Sequence, residues 1–166
     1  MGKAARHQGV LGLARRPREI GEVAALMTAL EQDALLVVCP RLTDPGRAGE
    51  LVRLAYSHAA AAVLFGAEGV SPFEADAVMA SGGDVFRLPV RVADGGQLLR
   101  CLKAAAVTLI GIDDEGGDGG SLPSGGRRAL VIGDPAGGLG GFWRAGCDLR
   151  AGGRAEELVG RLLAKA

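Results

Sequence analysis

Apolar and polar positions follow two rhythms along this chain. Ala34–Cys39 and Ala61–Phe65 are continuous apolar runs, the pattern of strands buried on both faces. Val85–Val90, Val107–Ile112, Ala129–Ile132 and Cys147–Arg150 read as further short strands, and Gly9–Ala14 as a short strand or an extended entry. Between them the period lengthens to that of a helix. Glu19–Gln32 sets Ile20, Val23, Met27 and Leu30 on one stripe. Pro45–His58 is a second helix, with Asp44 placed to cap it and Pro45 suited to its first turn. Pro72–Ala80 follows, capped by Ser71, then Gly96–Ala106 with Leu98, Leu99 and Leu102 facing inward. A short helix at Phe142–Arg144 and a closing helix at Arg154–Lys165, with Leu158, Leu162 and Leu163 facing in, complete the series. Regular alternation of strand and helix predicts an α/β fold: a mostly parallel sheet with helices on both faces.

The 166 residues suit one domain with a full core. Apolar residues make up 48% and aromatics only 4%, so the core must be built from Ala, Val, Leu and Ile. The 28 glycines imply many tight turns. Asp113–Gly126 is the one low-complexity insert and reads as a mobile loop. With 19 basic and 19 acidic residues the net charge is zero, which argues against a strong grip on a polyanion. The charge is uneven, however: residues 1–18 carry Lys3, Arg6, Arg15, Arg16 and Arg18 and no acid, a basic leader ahead of a domain at 19–166. Such a leader either touches RNA or is a solvated end.

Cys39, Cys101 and Cys147 are scattered without metal-ligand spacing, which fits a reduced cytoplasmic protein and no metal. No secretory signal and no apolar run of about 18 residues is visible, so neither export nor a membrane span is expected. Gly133–Gly141 follows a strand but lacks the Lys and Ser/Thr of a phosphate loop, and it is not the dinucleotide fingerprint of a first strand. No nucleophile elbow is present. His7 and His58 stand far apart, and His58 is placed to meet the negative end of its helix.

What remains is a colinear set of motifs. Asp44-Pro45-Gly46-Arg47-Ala48-Gly49-Glu50-Leu51-Val52-Arg53 resembles motif one of the SpoU/TrmH branch of the SPOUT methyltransferases, which reads Asp-Pro-x-Asn-x-Gly and then an arginine on the helix. His7-Gln8-Gly9-Val10 resembles the entry segment of that family. Ala80–Gly83 with Phe86-Arg87-Leu88-Pro89-Val90 resembles its Ser-x-Gly and Leu-Pro-Val segment. Ala129–Gly133 is similar to motif two, and Leu149–Val159 occupies the place of motif three. Order and spacing match over roughly residues 7 to 166.

The resemblance implies a Rossmann-like half, a C-terminal trefoil knot over about 129–166, and a homodimer. It implies transfer of a methyl group from S-adenosylmethionine to a ribose 2′-hydroxyl of tRNA or rRNA. Arg53 matches the arginine that helps activate that hydroxyl. Gly133, Leu149 and Leu158 match cofactor-contact positions, though they read equally as a turn glycine and two core leucines. The other catalytic positions depart from the pattern. Arg47 replaces the motif-one asparagine and becomes a candidate RNA contact. The motif-two glutamate falls on Pro135 or Asp134, and Glu157 and Val159 replace the serine and asparagine of motif three. Glu157 could pair with Arg53 and neutralise it. Arg47, Arg150 and Arg154 could hold a phosphate or be solvated surface. Only six residues precede His7, where many relatives carry an RNA-binding domain. Those departures leave an alternative beside the enzyme: a catalytically inactive homologue acting as a dimeric binding or scaffolding module. A third reading is an unrelated flavodoxin-like protein without a knot.

Overall fold

A computed structural model describes residues 21–117, 123, 125–154 and 157–158. The basic leader, the extended entry at Gly9–Ala14 and the closing helix beyond Leu158 lie outside the described residues. In chain order the elements are α1 (Gly21–Ala29), β1 (Leu35–Cys39), α2 (Pro45–Ser57), β2 (Ala62–Gly66), α3 (Ala75–Ala80), β3 (Val90–Ala93), α4 (Gly95–Ala104), β4 (Thr108–Gly117), β5 (Arg128–Ile132), α5 (Gly141–Gly146) and β6 (Leu149–Ala151). The strands form one six-stranded sheet in the order β3-β2-β1-β5-β4-β6. Every pairing is parallel.

The unbroken apolar runs now have their reason. Leu35, Val37 and Cys39 of β1 pack on one side of the sheet with Leu51, Val52 and Ala55 of α2 and Ala77 of α3. Leu36 and Val38 pack on the other with Val23 and Met27 of α1, Leu98 and Leu102 of α4, and Trp143 of α5. Side chains of a strand alternate between faces, so a strand with cores on both sides must be apolar throughout.

Three expectations need correction. Val85–Val90 is not a strand: Gly82 and Gly83 take left-handed conformations with φ of 62° and 88°. Asp84–Phe86 then forms a single 3-10 turn. The strand starts only where Val90 meets Val63 of β2. The third helix starts at Ala75 rather than Pro72, because the Ser71 hydroxyl accepts the Phe73 amide and Glu74 accepts the Ser71 amide, closing a separate turn. The segment from Asp113 to Gly117 is strand and not loop. β4 continues to Gly117, where it pairs with Ala151 of β6 after a register shift.

Two close approaches set the helix positions. A Cβ on Gly49 would lie 2.2 Å from the Ala77 carbonyl oxygen and 2.7 Å from the Ala80 Cβ. The motif-one glycine is therefore where α2 and α3 touch. At the opposite end, the Arg127 guanidinium donates to the carbonyls of Leu30 (2.6 Å), Glu31 (3.2 Å) and Ala105 (3.4 Å). One cation thus satisfies orphan carbonyls from the ends of both α1 and α4. Gly49→Ala should lower the unfolding free energy by about 1–3 kcal/mol through overpacking. Urea unfolding measures this, and an unchanged midpoint would show that α3 can withdraw without cost.

Candidate functional site

Strand order reverses between β1 and β5, and their carboxyl ends diverge there, the place where open α/β sheets bind ligands. A carboxylate closes that point. After β5 the chain folds back on itself: the Asp134 amide donates to the Gly138 carbonyl (3.1 Å) and the Gly138 amide to the Asp134 carbonyl (2.7 Å). Gly133 permits the fold, since a Cβ there would lie 2.3 Å from the Gly138 carbonyl carbon. The Asp134 side chain then reaches across to the loop after β1. Oδ2 accepts the Thr43 amide at 2.8 Å and the Thr43 hydroxyl at 2.7 Å. Oδ1 accepts the amides of Ala136 (2.9 Å) and Gly137 (3.3 Å).

The Thr43 hydroxyl, followed by the Ala136 amide, holds the Asp134 carboxyl below the usual carboxylate range. Asp134 is therefore a permanent acceptor at neutral pH and not a proton-transfer group. Pro135, the other candidate for the motif-two glutamate, is exposed and carries no polar atom on its side chain. Directly after Thr43, Asp44 caps α2, its Oδ1 accepting the Gly46 amide at 2.8 Å. The clip thus fixes the start of the helix that carries Arg47 and Arg53.

Those two arginines come together. Both line a groove of about 350 Å³ along the outer face of α2, with Glu50, Leu51, Leu54 and Ser57. Arg47 is ion-paired to Glu50 at 3.5 Å. Arg53 is exposed and forms no hydrogen bond or ion pair among the described residues, so the neutralising contact with Glu157 is not made. The cofactor positions do not gather there. Gly133 sits at the base of the hairpin. Leu149 lies on the edge strand β6 at 40% exposure, and Leu158 is 1% exposed in the core shared by Leu51 and Leu130.

A larger cavity of about 690 Å³ opens on the other side of the clip, among Pro40, Arg41, Glu68, Leu139, Phe142 and Trp143. None of Arg47, Arg53, Gly133, Leu149 or Leu158 lines it. Motif reading alone misses this cavity, although the sequence carries a signal for it. The glycine-rich 133–141 stretch fails as a phosphate loop, yet the chain's only tryptophan lies two residues beyond it. Thiol chemistry is disfavoured. Burial pushes the Cys39 thiol up to about 12 and the Cys147 thiol up to about 11. Among the described residues no cluster of three or more His, Cys, Asp or Glu could hold a metal. None of their helices is long and apolar enough to cross a membrane.

The clip makes a prediction that depends on pH. A carboxylate with a depressed folded pKa stabilises the fold above its unfolded value of about 3.9, and that contribution fades as pH falls through the folded pKa. Thr43→Val keeps the amide bond and removes the hydroxyl donor. It should lower the unfolding free energy at pH 7 by about 1 kcal/mol. The gap from the parent protein should begin to narrow below about pH 4 and close as pH falls further, through the depressed folded pKa of Asp134. A gap that persists in acid would place the loss elsewhere than at Asp134.

Comparison with known proteins follows the same direction. No protein-family model matches the chain. It is 28% identical over 145 residues to the 23S rRNA (guanosine-2′-O-)-methyltransferase RlmB of a Burkholderia species, covering 86% of its own length and 59% of that protein. It is 29% identical over 126 residues to the 23S rRNA (uridine(2479)-2′-O)-methyltransferase of Streptomyces viridochromogenes, covering 72% of its own length and 44% of that protein. The chain thus spans about half the length of these curated relatives. Its fold superposes on the SpoU methyltransferase AviRb of Streptomyces viridochromogenes in complex with AdoMet, with a TM-score of 0.76 at 24% identity over 90% of this chain and 64% of that one. It superposes on an AdoMet-bound rRNA methyltransferase of Sinorhizobium meliloti with a TM-score of 0.74 at 24% identity, over 84% of this chain and 58% of that one. In sequence and in fold the chain is similar to the SpoU/TrmH methyltransferases, as its motifs indicate.

Proposed function

We propose that this protein transfers a methyl group from S-adenosylmethionine to a ribose 2′-hydroxyl of RNA, with rRNA the favoured substrate. The observation that carries this reading is Arg53. Of the catalytic positions in motif one it alone is kept, and its guanidinium stands exposed and uncommitted in a groove. Both curated relatives are named as 23S rRNA 2′-O-methyltransferases, which does not favour the scaffold-only alternative.

The residues fit the cofactor through their backbone. A Cβ on Gly137, Gly138 or Gly140 would meet nothing within 4 Å, so no side chain covers the backbone along the outer edge of the hairpin, although the Gly137 and Gly138 amides are already bonded to Asp134. Recognition by such groups tolerates changes of side chain. In this reading Gly133 keeps the hairpin folded, the β6 edge at Leu149 offers backbone on the opposite side, and Leu158 supports the floor. When bound, the cofactor supplies a methyl group on a positively charged sulfur. Arg53, through the fixed donors of its guanidinium, holds the ribose hydroxyl and stabilises the negative charge that builds on its oxygen during attack. The open groove lets water take the released proton. Arg47 contacts an RNA phosphate from the same face. Position and charge, rather than a neutral base, carry the reaction.

The C-terminal knot over 129–166 and a homodimer packed through it belong to the same proposal. Support for the knot comes from the chain's path. After β6 it turns at Gly153 (φ 123°) and brings Leu158 back into the core beside Leu51 and Leu130. RNA modification of this kind would take place in the cytoplasm.

Calorimetric titration with S-adenosylhomocysteine, followed by radiolabelled methyl transfer to rRNA, tests the proposal. Arg53→Ala should leave cofactor affinity within about twofold and cut transfer by about 100-fold or more. Transfer that survives the substitution would remove Arg53 from the mechanism.

A further inference from the structure

The cavity beyond the clip shares Gly137 and Gly138 with the hairpin, but its Arg41, Glu68, Asp94 and Phe142 have no part in this mechanism, and together they have the features of a built site. Its volume of about 690 Å³ falls in the range of small-molecule pockets. We infer that it binds a guanine nucleotide, stacked on Phe142 and read by the carboxylates of Glu68 and Asp94. The inference deepens the methyltransferase reading and rests on it, because it names a base that the RNA substrate would present to the enzyme.

Two aromatic rings supply the platform. Phe142 is 57% exposed and meets Trp143 edge to face, with ring centroids 6.0 Å apart and planes at 88°. Trp143 is 6% exposed, so a buried ring steadies an open one. Single-stranded bases are held on such aromatic platforms, each stacked base contributing about 1–3 kcal/mol. A Cβ on Gly95 would lie 3.5 Å from the Trp143 Nε1, so the glycine leaves that ring edge uncovered.

The acceptors decide which base. Glu68 has no hydrogen bond or ion pair among the described residues. Asp94 commits Oδ1 to the Gln97 amide at 3.0 Å. Asp134, the third carboxylate of the wall, is saturated by the clip, which argues against a cation site. An ionised carboxylate only accepts hydrogen bonds. Guanine is the one base whose pairing edge offers two adjacent donors, N1–H and the N2 amino group. Adenine, cytosine and uracil each set an acceptor beside their donor. At the rim, Arg41 is exposed, has no partner among the described residues, and can take the nucleotide's phosphate.

Trp143 provides the readout, being the only tryptophan in the chain. Titration with GMP should change its fluorescence saturably, with AMP, CMP and UMP at least about tenfold weaker. Glu68→Gln should weaken GMP about tenfold and narrow the discrimination. Phe142→Ala should weaken all four nucleotides. Both residues are exposed, so melting temperatures should hold, and calorimetric binding of S-adenosylhomocysteine should be unchanged in both variants. No saturable response to GMP, or equal affinity for all four nucleotides, would overturn the inference. Competitive displacement of GMP by S-adenosylhomocysteine would also overturn it, by placing the cofactor in this cavity. GMP binding without any S-adenosylhomocysteine binding would sustain the pocket and defeat the methyltransferase reading instead.

Discussion

The site depends on one carboxylate. Asp134 takes hydrogen bonds from Thr43 on the β1 side of the sheet and from Ala136 and Gly137 on the β5 side. The two strands part company at this edge, and without a link their loops would be joined only through the sheet below. Because charged acceptors bind amides and hydroxyls more strongly than neutral ones, a single ionised side chain can hold two loops in register. The arginine-bearing helix begins two residues after Thr43, and the glycine hairpin begins at Asp134 itself. Their relative placement is therefore set by the same group.

That arrangement is compatible with departures from the motif pattern at positions the fold does not need. The glutamate expected near Pro135 has gone, and its neighbour Asp134 is fully occupied as an anchor. In motif three, Glu157 is exposed and Leu158 stays buried. What survives is the set of residues whose loss would disturb packing, together with one exposed arginine. Gly49 survives because α2 touches α3 there, and Gly133 because the hairpin touches itself. A family glycine in such a place reports geometry before it reports chemistry.

The fold was largely legible because burial on both faces leaves a plain mark on a sequence. Leu35–Cys39, Ala62–Gly66 and Arg128–Ile132 all lie within about one residue of the apolar runs that predict them. Misreadings arose where local hydrogen bonding competes with periodicity. The left-handed Gly82–Gly83 pair and the Ser71–Glu74 turn each displace an element that hydrophobicity alone would start earlier. Arg128 is a different kind of omission. It is 1% exposed and heads β5, donating to the carbonyls of Pro123 and Asp33. No pattern of apolar residues announces an arginine inside a core, because only the carbonyls around it make the burial tolerable.

The site was legible in part, and the part missed shares one cause. Motifs are read along the chain, whereas the large cavity is assembled across it, from loops after β1, β2, β3 and β5. Arg53 and Arg47 share a helix and so could be found together at six residues' separation. Glu68 and Asp94 lie on separate loops and Phe142 on α5, and only the parallel sheet brings them to one edge. A parallel sheet places every strand's carboxyl end on the same side, so residues just past those ends are neighbours whatever their separation in sequence. That rule groups Arg41, Glu68, Asp94 and Asp134, each within three residues of a strand's end. It does so without reference to any motif, because the grouping follows from strand direction alone.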